Sequence, residues 1–416
     1  MTTTVDRFRT ITTSAHTVTR RRPALVIVLR LLTALGPFTI DLYLPALPQI
    51  TGELHTNESA VQLTLTGTLI GLGVGQLVVG PLSDALGRRR PLFAGICVHV
   101  LASLLCAVAP GVFVLGALRV LQGFGAAAAA VIAMAVVRDH FTGHSAAATL
   151  SRLILVVGVS PLLAPTVGSQ LLRWTDWRGV FLALALIGSA IGLIAALALP
   201  ETLPDDRRRT GGFRTSLRDY RRLLHDRVFV GLVLVTGLSM AALFAYVAGS
   251  SFVLQEQFGF TEQQFGLAFA VNAIALIGSP QLNVVLLRRF APERILHAAL
   301  VAGALLAVVL LGFTLTGVGG LPGILVVLFL VLCAVGFRGP NATALALSRH
   351  GEAAGTAASL LGAVQFGVGG LAAPLVGLLG NDAVAMAAVI ALAAVAALAV
   401  LLVLVRPGRV TWSSAG

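Results

Sequence analysis

The chain contains no lysine and carries little charge of either sign. All 29 of its basic residues are arginine, its acidic residues number 17, and charged residues make up 11% of its 416 positions. A soluble globular protein carries about 25% charged residues, whereas 57% of this chain is hydrophobic. The composition therefore excludes a soluble globular protein. The net charge of +12 does not indicate nucleic-acid binding, because the arginines are concentrated between apolar runs.

Sequence motifs for metal binding, ATP hydrolysis and secretion are also missing. The three cysteines, Cys97, Cys106 and Cys333, lie in apolar runs without the spacing of metal ligands. No Walker sequence occurs. Residues 1–23 are rich in threonine and arginine and lack the short apolar core of a cleavable signal peptide. We therefore expect no metal, no cofactor and no ATP-driven pump, and we expect the first apolar run to direct membrane insertion.

Twelve apolar runs are long enough to cross a bilayer, which requires about 20 residues per helix. They lie at 24–48, 61–82, 91–109, 112–137, 146–172, 179–200, 228–254, 264–287, 295–316, 321–347, 353–380 and 383–405. The pattern predicts an all-α membrane protein with twelve spans in two six-helix halves. The predicted units are a tail 1–23, a first half 24–200, a linker 201–227, a second half 228–405 and a tail 406–416.

The arginines are distributed unevenly between alternate loops. The two tails and every second loop carry 23 of the 29 arginines, whereas the other loops carry only Arg173 and Arg178. The positive-inside rule then predicts that both termini are cytoplasmic. Trp174 and Trp177 lie in the opposite loop after span five, where an interfacial aromatic belt would place them.

The two halves resemble each other weakly. Gly80–Pro91 and Asn283–Arg294 are short basic turns that follow the second span of each half. Parallel halves related by an axis normal to the membrane are one known transporter architecture. The linker contains a predicted surface helix from Ser216 to Arg227, which we interpret as a tether that lies on anionic lipid headgroups.

Asp41 is the only carboxylate inside any of the apolar runs. An ionised residue at the centre of a bilayer costs at least ~2.5 kcal/mol, so such residues usually mark transport pathways or proton relays. Pro37, Pro45 and Pro48 surround Asp41. Broken helices are tolerated in membranes where they line a cavity or are covered by protein. We therefore predict that Asp41 is a titratable carboxylate in a transport pathway.

Arg119 on span four is the predicted partner of Asp41. Each residue lies about seven positions inside the non-cytoplasmic end of its span, which corresponds to a depth of about 10 Å at 1.5 Å per residue. Facing charges at one depth would lower the energetic cost of both. The pair is interpreted as part of proton coupling, with a purely structural ion pair as the alternative.

Two further arginines, Arg30 and Arg338, lie in the cytoplasmic half of their spans. Long basic side chains commonly extend to the membrane surface from such positions. That is the first interpretation. The alternative is that both arginines line the cytoplasmic part of a cavity.

Two stretches resemble signatures of the major facilitator superfamily. Between spans two and three, GPLSDALGRR supplies Gly80, Asp84, Gly87, Arg88 and Arg89 and is similar to the G-x-L-x-D-x-x-G-R-[RK] loop. On span four, the stretch RVLQGFGA that begins at Arg119 resembles the R-x-x-Q-G-x-G-A signature. The resemblance implies that the loop is a gate latch between helices two and eleven.

Span five contains Gly158, Pro161, Pro165 and Gly168. Each proline removes a backbone donor and favours a kink, and the glycines permit close helix contact. A kinked packing helix accounts for these residues physically. The resemblance adds that a glycine and proline signature on helix five is typical of the antiporters of this superfamily.

The chain as a whole looks like the bicyclomycin/chloramphenicol resistance (Bcr/CflA) branch of drug:proton antiporters. The stretches FTIDLYLPALPQI and AGTAASLLGAVQFGVGG carry most of this likeness. Arg338 departs from the small or apolar residue that the branch leads us to expect. The resemblance implies export of small amphipathic toxic compounds, including antibiotics, in exchange for protons by a monomer in the bacterial inner membrane.

Aromatic and polar residues on several spans are predicted to line the substrate cavity, since ligand sites are mostly apolar with a few polar groups. They are Phe38, Tyr43, Gln122, Met240, Phe244, Tyr246, Asn272, Arg338, Asn341, Gln365 and Phe366. Packing and interhelical hydrogen bonds are the alternative roles for these residues. The alternative functions are a proton-coupled importer of a metabolite and a membrane-embedded enzyme, the latter disfavoured by the lack of a catalytic cluster.

Overall fold

The computed structural model describes residues 25–141, 143–208, 212–350 and 354–406, and within these ranges it contains twelve long helices and no strand. They are α1 (Leu25–Glu53), α2 (Glu58–Leu86), α3 (Arg89–Ala107), α4 (Val112–His140), α5 (Gly143–Leu171), α6 (Trp177–Ala198), α7 (Arg227–Gln257), α8 (Glu262–Leu286), α9 (Pro292–Thr316), α10 (Gly320–Ser348), α11 (Ala354–Leu378) and α12 (Ala383–Val405). Eleven are long and apolar enough to cross a membrane, and α5 contains a shorter apolar stretch at Leu155–Leu171. The predicted all-helical membrane fold is confirmed.

Polar side chains set the starts of several helices. The first backbone N–H groups of a helix lack partners within it, and an Asn, Asp, Ser or Thr just before the helix can accept their hydrogen bonds. Such caps precede α2, α6, α7, α8 and α12, at Asn57, Asp176, Asp226, Thr261 and Asp382. These short polar residues therefore end the loops and fix where each membrane helix begins.

The helices pack as two equivalent halves. In half one, α2 packs on α4, and α3 packs on α4 and α6; in half two, α8 packs on α10, and α9 packs on α10 and α12. The halves meet where α2 packs on α11 and α5 packs on α8. Each contact is repeated by helices six positions later, as expected for two parallel halves.

Small residues bring α2 and α4 unusually close together. A Cβ added at Gly71 of α2 would lie 2.0 Å from the Val120 carbonyl oxygen, and one added at Gly123 of α4 would lie 2.1 Å from the Thr68 carbonyl oxygen. Only glycine permits backbones to approach this closely. The contact fixes the part of α4 that carries Arg119 against the centre of half one.

The loops define two ends of the helix bundle. We call the end that carries the loops after α2, α4, α6, α8 and α10 the basic end, and the other the opposite end.

A linker helix, Gly212–His225, lies at the basic end with Leu223 buried, and Tyr220 hydrogen-bonds to Ser359 of α11. The predicted surface helix is wrong at its end, because Asp226 caps α7 at Arg227. The predicted tail 1–23, and 407–416 of the predicted tail 406–416, lie outside the described residues.

The two tryptophans of the loop after α5 differ. Trp174 is 88% exposed, whereas Trp177 is fully buried and its indole N–H donates to a Glu53 carboxylate oxygen at 2.8 Å. The predicted place of Trp177 in an interfacial belt is therefore wrong, since this side chain anchors the start of α6 to the end of α1.

Candidate functional site

The site begins at an interruption of α1. The chain is α-helical over residues 25–41, turns, forms a 3₁₀ helix at Leu44–Ala46 and resumes as α-helix at Leu47–Glu53. Pro48 has no N–H to donate to the Leu44 carbonyl four residues earlier. That carbonyl accepts from the Leu47 N–H of its own segment and from the Ser251 hydroxyl of α7 at 2.7 Å. The predicted broken span is confirmed, and the break joins half one to half two.

Asp41 is the last residue before this interruption and is only 5% exposed. A Cβ added at Gly168 of α5 would lie 2.0 Å from the Leu42 carbonyl oxygen, so α5 touches α1 beside Asp41. On the side of half two, the carboxyl group lies within electrostatic reach of the Tyr246 hydroxyl. Asp41 therefore lies where the helices of the two halves meet.

Within the described ranges, the Asp41 side chain makes no ion pair and no hydrogen bond. Arg119 instead donates from Nη1 to the Thr39 carbonyl at 2.9 Å, and its Cζ lies 4.0 Å from the centroid of the Tyr43 ring. The predicted ion pair between Asp41 and Arg119 is therefore wrong for this structure. Arg119 thus contacts α1 two residues before and two residues after Asp41, at the Thr39 carbonyl and the Tyr43 ring.

A hydrogen-bonded chain holds Arg119 inside half one. Its Nη1 also donates to Gln122 Oε1 at 2.6 Å, Gln122 Nε2 donates to the Ser103 hydroxyl at 2.7 Å, and that hydroxyl donates to the His99 carbonyl at 2.7 Å. All four residues are buried with no solvent exposure. His99 and Ser103 were not predicted from the sequence, although their spacing of four places two polar residues on one face of an apolar helix.

Two predicted cavity residues belong to this interior. Gln122 uses both ends of its amide group within half one. Tyr43 is fully buried, with its ring 5.9 Å from that of Phe181 and its hydroxyl 3.4 Å from the Thr64 hydroxyl. In this structure their polar groups are turned into the helix packing of half one, and their predicted place in the substrate cavity stays a prediction.

The predicted cavity residues of α7 and α8 lie in half two, and Tyr246 among them interacts electrostatically with Asp41. Asn272 donates to the Tyr246 hydroxyl at 3.2 Å, and the Tyr246 ring stacks on Phe269 at 5.2 Å. Phe244 and Met240 pack against Gly369 of α11. Three other predicted cavity residues, Phe38, Gln365 and Phe366, are half-buried.

Arg338 lies away from this group. It is fully buried in half two, and its Nε donates to the Ala299 carbonyl at 3.2 Å. A Cβ added at Gly303 of α9 would lie 1.5 Å from Nη2, so this glycine leaves the slot that the guanidinium fills. The predicted extension of Arg338 to the membrane surface is therefore wrong, and its predicted place in the cavity lining stays a prediction. Arg30 is half-buried, and its two interpretations stay predictions.

Asn341 is likewise a packing residue of half two. Its Nδ2 donates to Asn283 Oδ1 at 2.8 Å and to the Phe337 carbonyl at 2.8 Å. The first bond joins α10 to α8, and the second lies within α10. Asn341 is therefore held inside half two in this structure, and its predicted place in the cavity stays a prediction.

The loop between α2 and α3 forms an ion cluster at the basic end. Arg88 pairs with Asp84 at 2.6 Å and with Asp139, at the end of α4, at 2.9 Å. Burial alone would lower the pKa of Arg88, but the hydrogen bonds and charges of the two carboxylates raise it above its usual value. Asp139 was missed, although a carboxylate directly after Arg138 at the end of a span is a visible signal.

Glu201, after α6, binds the start of α3. Its carboxylate accepts hydrogen bonds from the backbone N–H groups of Arg88 at 2.8 Å and Arg89 at 3.1 Å. Burial alone would raise the pKa of Glu201, but its bonds to backbone N–H groups lower it below the usual value. Gly87 has φ +86°, and a Cβ there would lie 2.8 Å from Glu201 Oε2, so glycine is required on both grounds.

In the described ranges, the polar bonds of this loop stay within half one and the start of the linker, since Asp84, Arg88 and Asp139 belong to half one and Glu201 follows α6 directly. The approach to α11 is made by Gly80, where an added Cβ would lie 3.5 Å from the Ser359 hydroxyl. The loop thus touches helix eleven by packing, and its role as a latch stays a prediction.

Hydrogen bonds between side chains and carbonyls or amides join the halves at the opposite end. Thr66 of α2 donates to the Gly370 carbonyl of α11 at 2.7 Å, and Gln62 Nε2 donates to Asn381 Oδ1 at 2.6 Å. Gln263 Nε2 of α8 donates to the Ser169 carbonyl of α5 at 3.2 Å. Together with the bond from Ser251 to Leu44, we call these four contacts the opposite-end seal.

The comparisons with known proteins agree with this architecture. A model of the Major Facilitator Superfamily matches residues 29–374. The uncharacterized MFS-type transporter YdgK of Bacillus subtilis is 38% identical over 89% of this chain and 92% of its own length. A bicyclomycin resistance protein homolog of Haemophilus influenzae is 31% identical over 86% and 90% of the two chains, and the multidrug resistance protein MdtL of Klebsiella pneumoniae is 30% identical over 91% and 95%.

Solved structures share the fold. The xylose transporter XylE of E. coli, in a partially occluded inward open conformation, matches with a TM-score of 0.71 at 13% identity over 91% of this chain and 96% of its own. The nucleoside transporter NupG matches with a TM-score of 0.70 at 14% identity over 90% and 99%. From the matched family model, these relatives and the twelve-helix architecture, we conclude that the chain belongs to the Major Facilitator Superfamily.

Proposed function

We propose that this transporter exports small amphipathic toxic compounds, including antibiotics, in exchange for protons by alternating access. Membership of a transporter superfamily makes the protein a multi-pass membrane transporter rather than an enzyme. The chain matches a bicyclomycin resistance homolog and a multidrug resistance protein over most of their length. The names of these two relatives support drugs as its substrates. The superfamily includes importers as well, so the direction of transport is part of the proposal.

The observation that carries the proposal is the position of Asp41. A carboxyl group that is 5% exposed lies at the break of α1, where α5 and α7 approach it. Intramembrane carboxyl groups in such places serve proton relays. The group can bind and release a proton as its hydration changes between the two open states, and a bound drug would compete with that proton.

Half two supplies the other wall of the proposed binding region. Tyr246, whose hydroxyl interacts electrostatically with Asp41, and Asn272 supply a hydroxyl and an amide to this wall, and Met240 and Phe244 add apolar surface at the contact with α11. A mostly apolar wall with few polar groups suits an amphipathic compound. Because the region lies between two halves of one chain, we propose that the monomer is sufficient for transport.

The proposed orientation follows the arginines. The basic end carries most of them, and the positive-inside rule places such loops in the cytoplasm. We therefore propose that the basic end faces the cytoplasm, that the opposite-end seal faces outward, and that the protein resides in the bacterial inner membrane. Substrate would then enter from the basic end.

Replacement of Asp41 by asparagine tests the proposal. In everted vesicles with an imposed pH gradient, addition of bicyclomycin should release protons from vesicles that contain the wild-type protein. The Asp41→Asn variant should lose this response, because the amide keeps the shape but carries no proton, while it still inserts and folds. Asp382→Asn is the matched control, since asparagine retains the cap of α12.

Undiminished proton release by the Asp41→Asn variant would refute Asp41 as the proton carrier.

A panel of antibiotics tested on cells with and without the chain determines whether export is the direction of transport. Increased sensitivity, or gradient-driven accumulation of a metabolite, would favour the proton-coupled importer instead. The matches to XylE and NupG share only the fold and do not favour that alternative.

A further inference from the structure

We infer that Ser103 of α3 is a positioning residue for Arg119, which it controls by orienting the amide of Gln122. The inference rests on the proposed function, since it assigns Arg119 a part in transport. Ser103 touches neither Asp41 nor the group of residues around Tyr246. Its effect passes from α3 to α4 and from α4 to α1 through hydrogen bonds alone.

The direction of each hydrogen bond in this chain is determined by its neighbour. The Ser103 hydroxyl has one hydrogen, and it is donated to the His99 carbonyl at 2.7 Å. The hydroxyl oxygen can therefore only accept from Gln122, which requires the NH₂ end of the amide to face α3 at 2.7 Å. The carbonyl end of Gln122 must then face Arg119, from which it accepts at 2.6 Å.

The opposite amide orientation would be unfavourable for Arg119. It would place NH₂ against a guanidinium, and both groups are hydrogen-bond donors. Arg119 donates hydrogen bonds only from Nη1, because its Nε and Nη2 have no hydrogen-bond partner in the part of the chain that the structure describes. The loss of one bond from Nη1 therefore halves the hydrogen bonding of the guanidinium. Without Gln122 as acceptor, the guanidinium would keep only its bond to the Thr39 carbonyl.

That remaining bond connects the chain to the transport site. Thr39 lies two residues before Asp41, in the last turn of the first segment of α1, where backbone carbonyls lack partners within the helix. Arg119 satisfies one of these carbonyls and stacks on Tyr43, two residues after Asp41. The orientation of Gln122 therefore influences the backbone on both sides of Asp41.

Close packing of α3 and α4 makes the bond between Ser103 and Gln122 possible. A Cβ added at Gly125 of α4 would lie 2.4 Å from the Gly95 carbonyl oxygen and 2.6 Å from the His99 nitrogen. The two backbones therefore touch one turn from Gln122, where even a serine side chain can reach the neighbouring helix. Ser103 thus accepts a hydrogen bond from a neighbouring helix, whereas a serine such as Ser279 bonds to a carbonyl of its own helix.

The test compares Ser103→Ala with Ser103→Thr in gradient-driven export of bicyclomycin. Alanine should lower the maximal rate about tenfold, the usual effect of one hydrogen bond to a charged network, and should shift the pH optimum with little change in KM. Threonine keeps the hydroxyl and should retain the wild-type rate and pH profile. Ser279→Ala is the matched control, because that buried serine bonds to the Ala275 carbonyl of its own helix at 2.7 Å.

A double-mutant cycle with Gln122→Ala separates positioning from general destabilisation. If Ser103 acts through Gln122, Ser103→Ala should change neither rate nor pH profile in the Gln122→Ala background. Additive losses would overturn the inference, as would an unchanged pH profile of Ser103→Ala. Ser103→Cys, which keeps the size but is a weaker acceptor, replaces the alanine variant if that variant does not fold.

Arg119→Lys distinguishes failure of this inference from failure of the proposed function. Lysine keeps the charge but lacks the planar fork that bonds Thr39 and Gln122 together, so export should fall. Unchanged export by Arg119→Lys and by Asp41→Asn would refute the role of this region in transport. Impaired export by both, with a wild-type pH profile for Ser103→Ala, would refute only the positioning role.

Discussion

The two ends of the bundle use polar side chains in different ways. At the opposite end, the bonds from Thr66 and Gln62 cross from half one to half two. At the basic end, Arg88 binds carboxylates of its own half, and Asp226, the linker residue that caps α7, binds Arg349 of half two at 3.0 Å. The bond between Tyr220 and Ser359 is an exception, and it is made by the linker helix.

This difference has a consequence for motion between the halves. Parting the halves at the opposite end breaks hydrogen bonds, each worth about 0.5–1.5 kcal/mol net. Parting them at the basic end separates mainly packed small residues, such as Gly80 beside Ser359 and Gly362 beside Gln76. The ion clusters there stay intact, because each belongs to one half. The structure therefore describes a conformation closed at the opposite end.

The largest effect is expected from Arg88→Ala. The change would leave Asp139, whose side chain is 15% exposed, without its cation, and loss of one partner from a buried pair costs about 3–5 kcal/mol. The thermal midpoint of the purified transporter should fall, with export falling in parallel, since half one loses the connection between α2, α3 and α4. Arg90→Ala is the control, because Arg90 is exposed. Equal midpoints for the two variants would contradict the ion cluster as a support of half one.

A smaller effect is expected from Thr66→Val, which tests the opposite-end seal. The Gly370 carbonyl would lose its donor, at a cost of about 1–3 kcal/mol, so conformations open at the opposite end should become more populated. Thr68→Val is the control, because that hydroxyl bonds to the Thr64 carbonyl of its own helix. Distances between spin labels at Leu63 and Leu379, in a cysteine-free background, should lengthen in the Thr66 variant alone. Identical distance distributions for both variants would remove Thr66 from the seal.

The sequence predicted the number and type of the helices because those depend on local hydropathy. It predicted span two as 61–82, whereas α2 covers Glu58–Leu86. The helix continues into polar turns, with Asn57 as its cap, and such turns carry no hydropathy signal. The two halves were predictable for the same reason, since the basic turns repeat after equivalent spans.

The site was predictable only in part. The isolation of Asp41 in an apolar run indicated its importance, and it lies where the halves meet. Its pairing with Arg119 could not be inferred from depth, because equal depth does not determine the direction in which each side chain leaves its helix. The slot for Arg338 depends on Gly303, which lies on another helix and is far away in the sequence.

The smallest effect is expected at Asp226, in the half-two cluster of the basic end. Burial alone would raise the pKa of Asp226, but bonds from Arg349 and from two backbone N–H groups lower it below its ordinary 3.8. A carboxyl group whose pKa is lower in the folded state stabilises the fold above its ordinary pKa, and this contribution is lost as the pH falls through the folded value. The wild type should therefore lose thermal stability as the pH falls below about 4.

Asp226→Asn should lose less stability over the same pH range, because asparagine keeps the cap of α7 but has no charge to neutralise. The expected difference is below ~1 kcal/mol, as for other partly exposed ion pairs. Thermal midpoints at pH 6 and pH 3.5 measure it, with Asp382→Asn as the control, because Asp382 caps α12 without a cation within ion-pair distance in the described ranges. Parallel losses in the wild type and both variants would mean that the charge of Asp226 does not hold α7 to the end of α10.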